Sequence, residues 1–386
     1  MLKKPMLKKP RFEMTHTDPT AAAPHNDPAL VELSVKLERL RKLMAANNFT
    51  AVHVAKLGNL AWLLCGGDAL VSFADAPVAE AVVTPQRVVV LMSEVERDRL
   101  EREAFPPGVD ALYYPWFDPD AKGVLLKELL GGGKVLADTA GVAGAEVRDF
   151  WPLRVPLTAG EVERYRALGQ DAAQAFTETL KALTPGLSEH TIAARIAYAL
   201  RERGMQPALI LVAADERLQR YRHPLPADTI FRERVMAVTC ARRGGLYANL
   251  TRIVSAGALT DGVRDAYHRL LDVESTLLNY TRHGVLTREL FPEMQSAYDT
   301  AGFEGEWAKH HQGGACGYET RDWVLQEGGD RMLQEGSAYA WNPSLPGLKV
   351  EDTVLLQGEN LEVLTADANW PSLEVDGRAR PDVLEL

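Results

Sequence analysis

The residues best placed to do chemistry are a histidine in His223-Pro224-Leu225-Pro226, a second in His311-Gln312-Gly313-Gly314, and the acidic pair Glu351-Asp352. Imidazole titrates near neutral pH, so it can carry a proton or, when neutral, ligate a metal. A carboxylate can serve as a base or hold a hard cation. One histidine and one glutamate fall short of the ligand set of a structural or catalytic zinc site. A lone histidine in a proline-rich stretch is more often structural than catalytic, and His310 beside His311 reads as a packing or surface residue. Cys240 and Cys316 stand near these stretches, but no group at a recognisable spacing activates either thiol, and both read as buried.

Such residues need elements to bring them together. Residues 234–257 have the form of two strands joined by a Gly244-Gly245 turn. Thr158 to Glu161 is a capping box that opens a long helix, with Tyr165, Leu168, Ala172, Phe176 and Leu180 on one face and Pro185-Gly186 as its stop. Ser188 caps a second helix, ended by Gly204, whose Ile192, Ile196 and Leu200 share a face. Thr260 opens a third helix running to His283-Gly284, and Thr287 a fourth closing near Gly302. Two helix pairs, each wrapped around a strand hairpin, predict a pseudo-symmetric α/β unit.

Upstream, an amphipathic helix opens at Leu30 and ends near Asn47-Asn48. Strands at 51–55, 81–84, 88–92 and 135–137 then alternate with helical stretches at 59–64, 94–103 and 122–130, which predicts an α/β sandwich or a short doubly wound sheet. Pro152 and Pro156 interrupt any regular element, so the reading divides the chain into a first domain at 30–157 and a second at 158–386. The doubled Met-Leu-Lys-Lys-Pro at the start reads as a mis-assigned start or leader. With the Thr, Asp, Pro and Ala that follow, it makes residues 1–29 a leader or disordered segment.

The 386 residues are 46% hydrophobic and 25% charged, a globular composition. Three cysteines at unrelated spacings fit reduced thiols in a cytoplasm better than a disulfide framework. No apolar run approaches the ~20 residues of a membrane span. The net charge of -10 argues against a nucleic-acid partner.

In order and spacing these stretches resemble the creatinase, aminopeptidase P and prolidase family. They include the hairpin with its Thr251-Arg252, Pro185 to Glu189 between the helices, and residues 39–64, which resemble the family's entry helix and turn. The resemblance spans about residues 30–370. It implies a creatinase-like N-terminal α/β domain followed by a pita-bread domain, and Xaa-Pro dipeptidase chemistry on two divalent ions (manganese, cobalt or zinc) that activate a bridging water. It also implies where the five metal ligands should stand. Those positions read Val238, Asn249, His311, Asn342 and Glu351, so one carboxylate remains where the family has four. The expectation is therefore no metal cofactor, and a neutral, hydrogen-bonded core in the place of the metals, because hard cations need anionic oxygen ligands.

Other positions follow from the same resemblance. His223 matches a histidine that hydrogen-bonds substrate, and Arg252 is expected in the cleft. Tyr318 stands where the family has a second histidine, followed by Glu319; a tyrosine is a poor proton donor near neutral pH. The resemblance implies a homodimer. Two functions follow: a pseudo-peptidase binding a small peptide or amide ligand, or a protein partner, without cleavage, with His223, His311 and Glu351 as vestigial or ligand-binding groups; or a hydrolase. The hydrolase would be either a metal-independent, creatinase-like enzyme using His223 or a residual Xaa-Pro dipeptidase.

Overall fold

The structure is a computed structural model that describes residues 27–72, 76–118 and 120–386. The chain divides into two compact units between Arg154 and Val155. The doubled leader and the tail through residue 26 lie outside the described residues. None of the described helices is long and apolar enough to cross a membrane.

The first unit runs α1 (Pro28–Asn47), β1 (Ala51–Val54), α2 (Leu57–Leu63), β2 (Ala79–Val83), β3 (Val88–Ser93), α3 (Arg97–Glu103), β4 (Asp110–Tyr114), α4 (Ala121–Leu130), β5 (Val135–Ala137), β6 (Glu146–Val147) and α5 (Trp151–Arg154). The strands form one mixed sheet in the order β4-β3-β2-β1-β5-β6. Helix α1 starts two residues earlier than expected, because the Asp27 carboxylate accepts from the Ala29 amide at 2.9 Å and Pro28 suits the first turn. The core lies on the sheet, where Val89, Leu91 and Leu112 pack with Leu125 of α4.

In the second unit the capping box forms as expected: the Thr158 amide donates to Glu161 at 2.7 Å and the Glu161 amide to the Thr158 hydroxyl at 3.3 Å. It opens α6 (Ala159–Lys181), which is followed by α7 (Glu189–Glu202), β7 (Gln206–Ala214), α8 (Glu216–Arg220), β8 (Arg234–Arg243) and β9 (Leu246–Ser255). Next come α9 (Asp261–Tyr280), α10 (Thr287–Thr300), β10 (Gly313–Cys316), β11 (Ala338–Trp341), β12 (Ser344–Leu345), β13 (Leu348–Lys349), β14 (Asp352–Gln357), β15 (Asn360–Val363), β16 (Ser372–Val375), β17 (Arg378–Pro381) and β18 (Leu384–Glu385). Two four-stranded sheets, β18-β9-β8-β7 and β10-β11-β14-β15, meet at a bridge between Thr251 and Glu351. This is the pita-bread α/β architecture.

Three differences from the sequence reading have local causes. No strand was expected at β7, where Pro207 argues against a strand interior; β7 is an edge strand, and its pairing with β8 shifts register between Pro207 and Leu209. Helix α9 stops at Tyr280, short of His283. Its cap Thr281 turns away from helical backbone while its hydroxyl donates to Leu277 O at 2.7 Å and accepts from Trp341 Nε1 at 2.8 Å. The stretch 94–103 is α-helical only from Arg97.

Candidate functional site

The β8–β9 hairpin turns at Gly244 and Gly245, both at positive φ, the backbone that a tight two-residue hairpin requires. Its register pairs Val238 with Thr251 and Cys240 with Asn249. Directly opposed residues share a face, so all four point the same way. The second sheet brings its own residues to this face: His311 just before β10, Asn342 just after β11, and Glu351 just before β14. Strand β10 can approach so closely because of its glycines. A Cβ on Gly313, whose φ is +100°, would sit 2.0 Å from Ala340 O, and one on Gly314 2.0 Å from Trp323 O.

Between these elements lies a cavity of about 100 Å³. Val238, His223, His311, Asn342 and Glu351 line it, with Arg321 and Lys349 beside them. Leu209 and Leu211 of β7 close one side. Asn249 is fully buried but is not among the lining side chains.

Glu351 is the electrostatic centre. Its carboxylate accepts from Arg321 at 2.7 Å, from Lys349 at 2.7 Å and from the Thr251 hydroxyl at 2.8 Å. Burial alone would push this carboxyl up, but Lys349 and Arg321 outweigh it and hold the group well below the usual carboxylate range. Neither cation was singled out in the sequence. Lys349 stands two residues before Glu351, a spacing that in extended chain puts both side chains on one face, so it could have been found; Arg321 carries no such signal.

The core is thus neither neutral nor fully hydrogen-bonded, as had been expected. It holds three charges, and the Oδ1 atoms of Asn249 and Asn342 are buried without a hydrogen-bond partner. The Asn249 side-chain Nδ2 reaches only Thr320 O, at 3.4 Å.

His223 is exposed at the rim, and its Nε2 lies 2.9 Å from Nε2 of His310. His310 stacks on His311, with ring centroids 4.4 Å apart, so it belongs to a cluster rather than to the packing or the surface alone. Ring nitrogens of these three histidines lie within 4.8 Å of one another, and they are the one group of three or more His, Cys, Asp or Glu among the described residues that could share a metal ion. Burial lowers all three, with Lys349 adding to the effect: His310 falls to about 2, and His311, which also feels Arg321, to about 4. All three are neutral at pH 7. Burial pushes the Cys240 thiol up to about 12, so it offers no thiolate.

Three residues expected in the cleft, Arg252, Tyr318 and Glu319, lie outside the cavity lining. Arg252 stands on the opposite face of β9, where it donates to Asp352 at 2.9 Å and to Thr365 O at 2.8 Å. Alternation along a strand dictates this once Thr251 faces the cavity. Tyr318 is buried and donates to Glu161 at 2.7 Å, tying the end of β10 to the start of α6. Glu319 follows it in the chain, and neither lines the cavity.

Comparison with known proteins matches residues 163–358, just over half of the chain, to metallopeptidase family M24. The chain belongs to that family. The M24 match opens inside α6 and closes after β14, so it encloses every cavity-lining residue. The chain is 23% identical over 224 residues to the Xaa-Pro dipeptidase of Pyrococcus furiosus, covering 55% of this chain and 64% of that protein. It is 24% identical over 223 residues to the Xaa-Pro dipeptidase of Lactobacillus delbrueckii subsp. lactis, covering 55% and 60%. It therefore spans less than two thirds of the length of these curated relatives. The solved structure of the Xaa-Pro dipeptidase from Bacillus anthracis superposes with a TM-score of 0.73 at 18% identity, over 92% of this chain and all of that one.

Proposed function

We propose that this M24 chain is a pseudo-peptidase. In this reading its cavity binds a small peptide or amide ligand, or part of a protein partner, and the family's two divalent ions are not bound. The observation that carries the reading is Glu351 held between Arg321 and Lys349, at 2.7 Å from each. The donor set does not fit a pair of divalent cations: Val238 offers no lone pair, Asn249 and Asn342 offer neutral oxygens, and the single carboxylate is already engaged by two protein cations. Adding two dications beside two buried unit charges is electrostatically prohibitive without further anions. The reading includes a soluble cytoplasmic protein that forms a homodimer and has no nucleic-acid or membrane partner.

One observation favours a second reading, metal-independent hydrolysis of an amide or amidino bond. His223 is neutral, exposed at the rim and hydrogen-bonded to a second imidazole, as a proton carrier would be.

The experiment is turnover of Ala-Pro with added manganese, with and without a chelator, and of creatine without metal. The pseudo-peptidase reading expects no turnover in any case. Chelator-sensitive cleavage of Ala-Pro overturns it in favour of the family's chemistry, and turnover of creatine that His223→Ala abolishes overturns it in favour of the second reading.

A further inference from the structure

The cavity carries one more positive charge than negative. Glu351 supplies the only carboxylate in its lining, against Arg321 and Lys349, while His223, His311 and Cys240 are neutral. Both cations are well removed from water, with side chains 12% and 4% exposed, and Glu351 is 3% exposed. A buried charge without a counter-charge is costly, so this arrangement favours an incoming anion.

Two buried polar atoms point to the same conclusion. Arg321 uses its terminal nitrogens on Thr320 O and Glu351, at 2.7 Å each, which leaves Nε–H without a partner. On the same lining, Oδ1 of Asn342 is unpaired in a residue only 2% exposed. The oxygen and nitrogen of a side-chain amide exchange by a simple flip, so Asn342 can offer an N–H to a ligand oxygen.

Size narrows the ligand. A dry cavity of roughly 150 Å³ holds a six-carbon ring. By that measure the present cavity of about 100 Å³ holds roughly four heavy atoms. We propose that this cavity binds a carboxylate, entering past His223 and seated between the Arg321–Lys349 pair and the Asn342 amide. The group is either a small free acid of acetate size or the carboxylate end of a peptide. The proposal rests on the ligand-binding reading above and names the chemistry that the site recognises. A metal ion on the three histidines is the opposite proposition, and Lys349, which disfavours positive charge on all three rings, opposes it.

The test is calorimetric titration of the metal-free, dialysed protein with sodium acetate and, separately, with N-acetylglycylglycine, beside Lys349→Met, Asn342→Leu and Glu351→Gln variants whose folding is checked by circular dichroism. Saturable binding is expected, weakened roughly tenfold or more in Lys349→Met and in Asn342→Leu. Glu351→Gln raises the net charge of the lining and is expected to bind more tightly, a gain that a misfolded variant cannot mimic. Tighter binding of acetate identifies a free acid as the occupant and tighter binding of the peptide its end group; either order supports the site. No saturable binding to the folded protein overturns the proposal, as does equal affinity in the folded variants or binding that appears only after stoichiometric zinc is added. Failure here leaves the Ala-Pro experiment unaffected, so the two readings fall separately.

Discussion

At the scale of single residues, Glu351 decides what the site can do. A carboxylate that accepts from Arg321, Lys349 and Thr251 has little capacity left for a metal. Glu351→Gln should cost about 3–5 kcal/mol at neutral pH, because it leaves two buried cations without their anion. The pH dependence has a definite sign. The folded-state carboxyl lies below its ordinary value of 4.5, so its contribution is complete above that value and is lost as the pH falls towards the folded value. Urea titrations of both proteins should therefore show a constant gap from neutral pH to about 5 that narrows in more acid solution. A gap that widened below that pH would mean that the two cations do not hold the carboxylate. The sequence made Val238, Asn249, His311, Asn342 and Glu351 legible as a set, because each sits in a recognisable stretch, and the structure brings all but Asn249 to one cavity lining. It did not reveal which groups balance the carboxylate that remains. A cation contributed by a loop, such as Arg321, looks in sequence like any surface arginine.

At the scale of elements, the site depends on how tightly β10 is packed. Gly313→Ala should destabilise the protein by roughly 3 kcal/mol or more, since its Cβ would meet Ala340 O and its φ is positive. Thermal unfolding measures this, and a melting temperature within a degree of the parent would contradict the packing described. The glycines of His311-Gln312-Gly313-Gly314 are thus explained by close approach to β11 and to the backbone at Trp323, without reference to any ligand. The four long helices and the hairpin were readable because caps, stops and apolar spacing agree along them. Strands β4, β6, β7 and β10 to β18 were missed. For β7, Pro207 and partial exposure disguise an edge strand whose last four residues alone are buried.

At the scale of the whole second unit, four buried charges hold distant parts of the chain together. Arg380 of β17 pairs with Glu274 of α9 at 2.6 Å and with Asp352 of β14 at 2.7 Å, and Asp352 pairs in turn with Arg252 of β9 at 2.9 Å. The side chains of all four are at most 4% exposed. Glu274→Ala should cost about 3–5 kcal/mol, because it leaves Arg380 in excess, and the cavity 's charge balance should be unchanged, since neither residue lines it. Acetate affinity retained in a destabilised but folded Glu274→Ala protein is the expected outcome; loss of binding would mean that the two buried networks are coupled. This network also accounts for Arg252. The Thr-Arg pair that resembled a cleft signature puts Thr251 towards the cavity and its arginine into the scaffold.

In the proposed reading Arg321 and Lys349 engage Glu351 where the family's divalent ions would otherwise bind. Calorimetric titration of the metal-free protein with manganese tests it most directly. No pair of manganese ions is expected to bind at micromolar affinity, in the parent protein or in Glu351→Gln. Two ions bound per chain in the parent, and lost in Glu351→Gln, would contradict it.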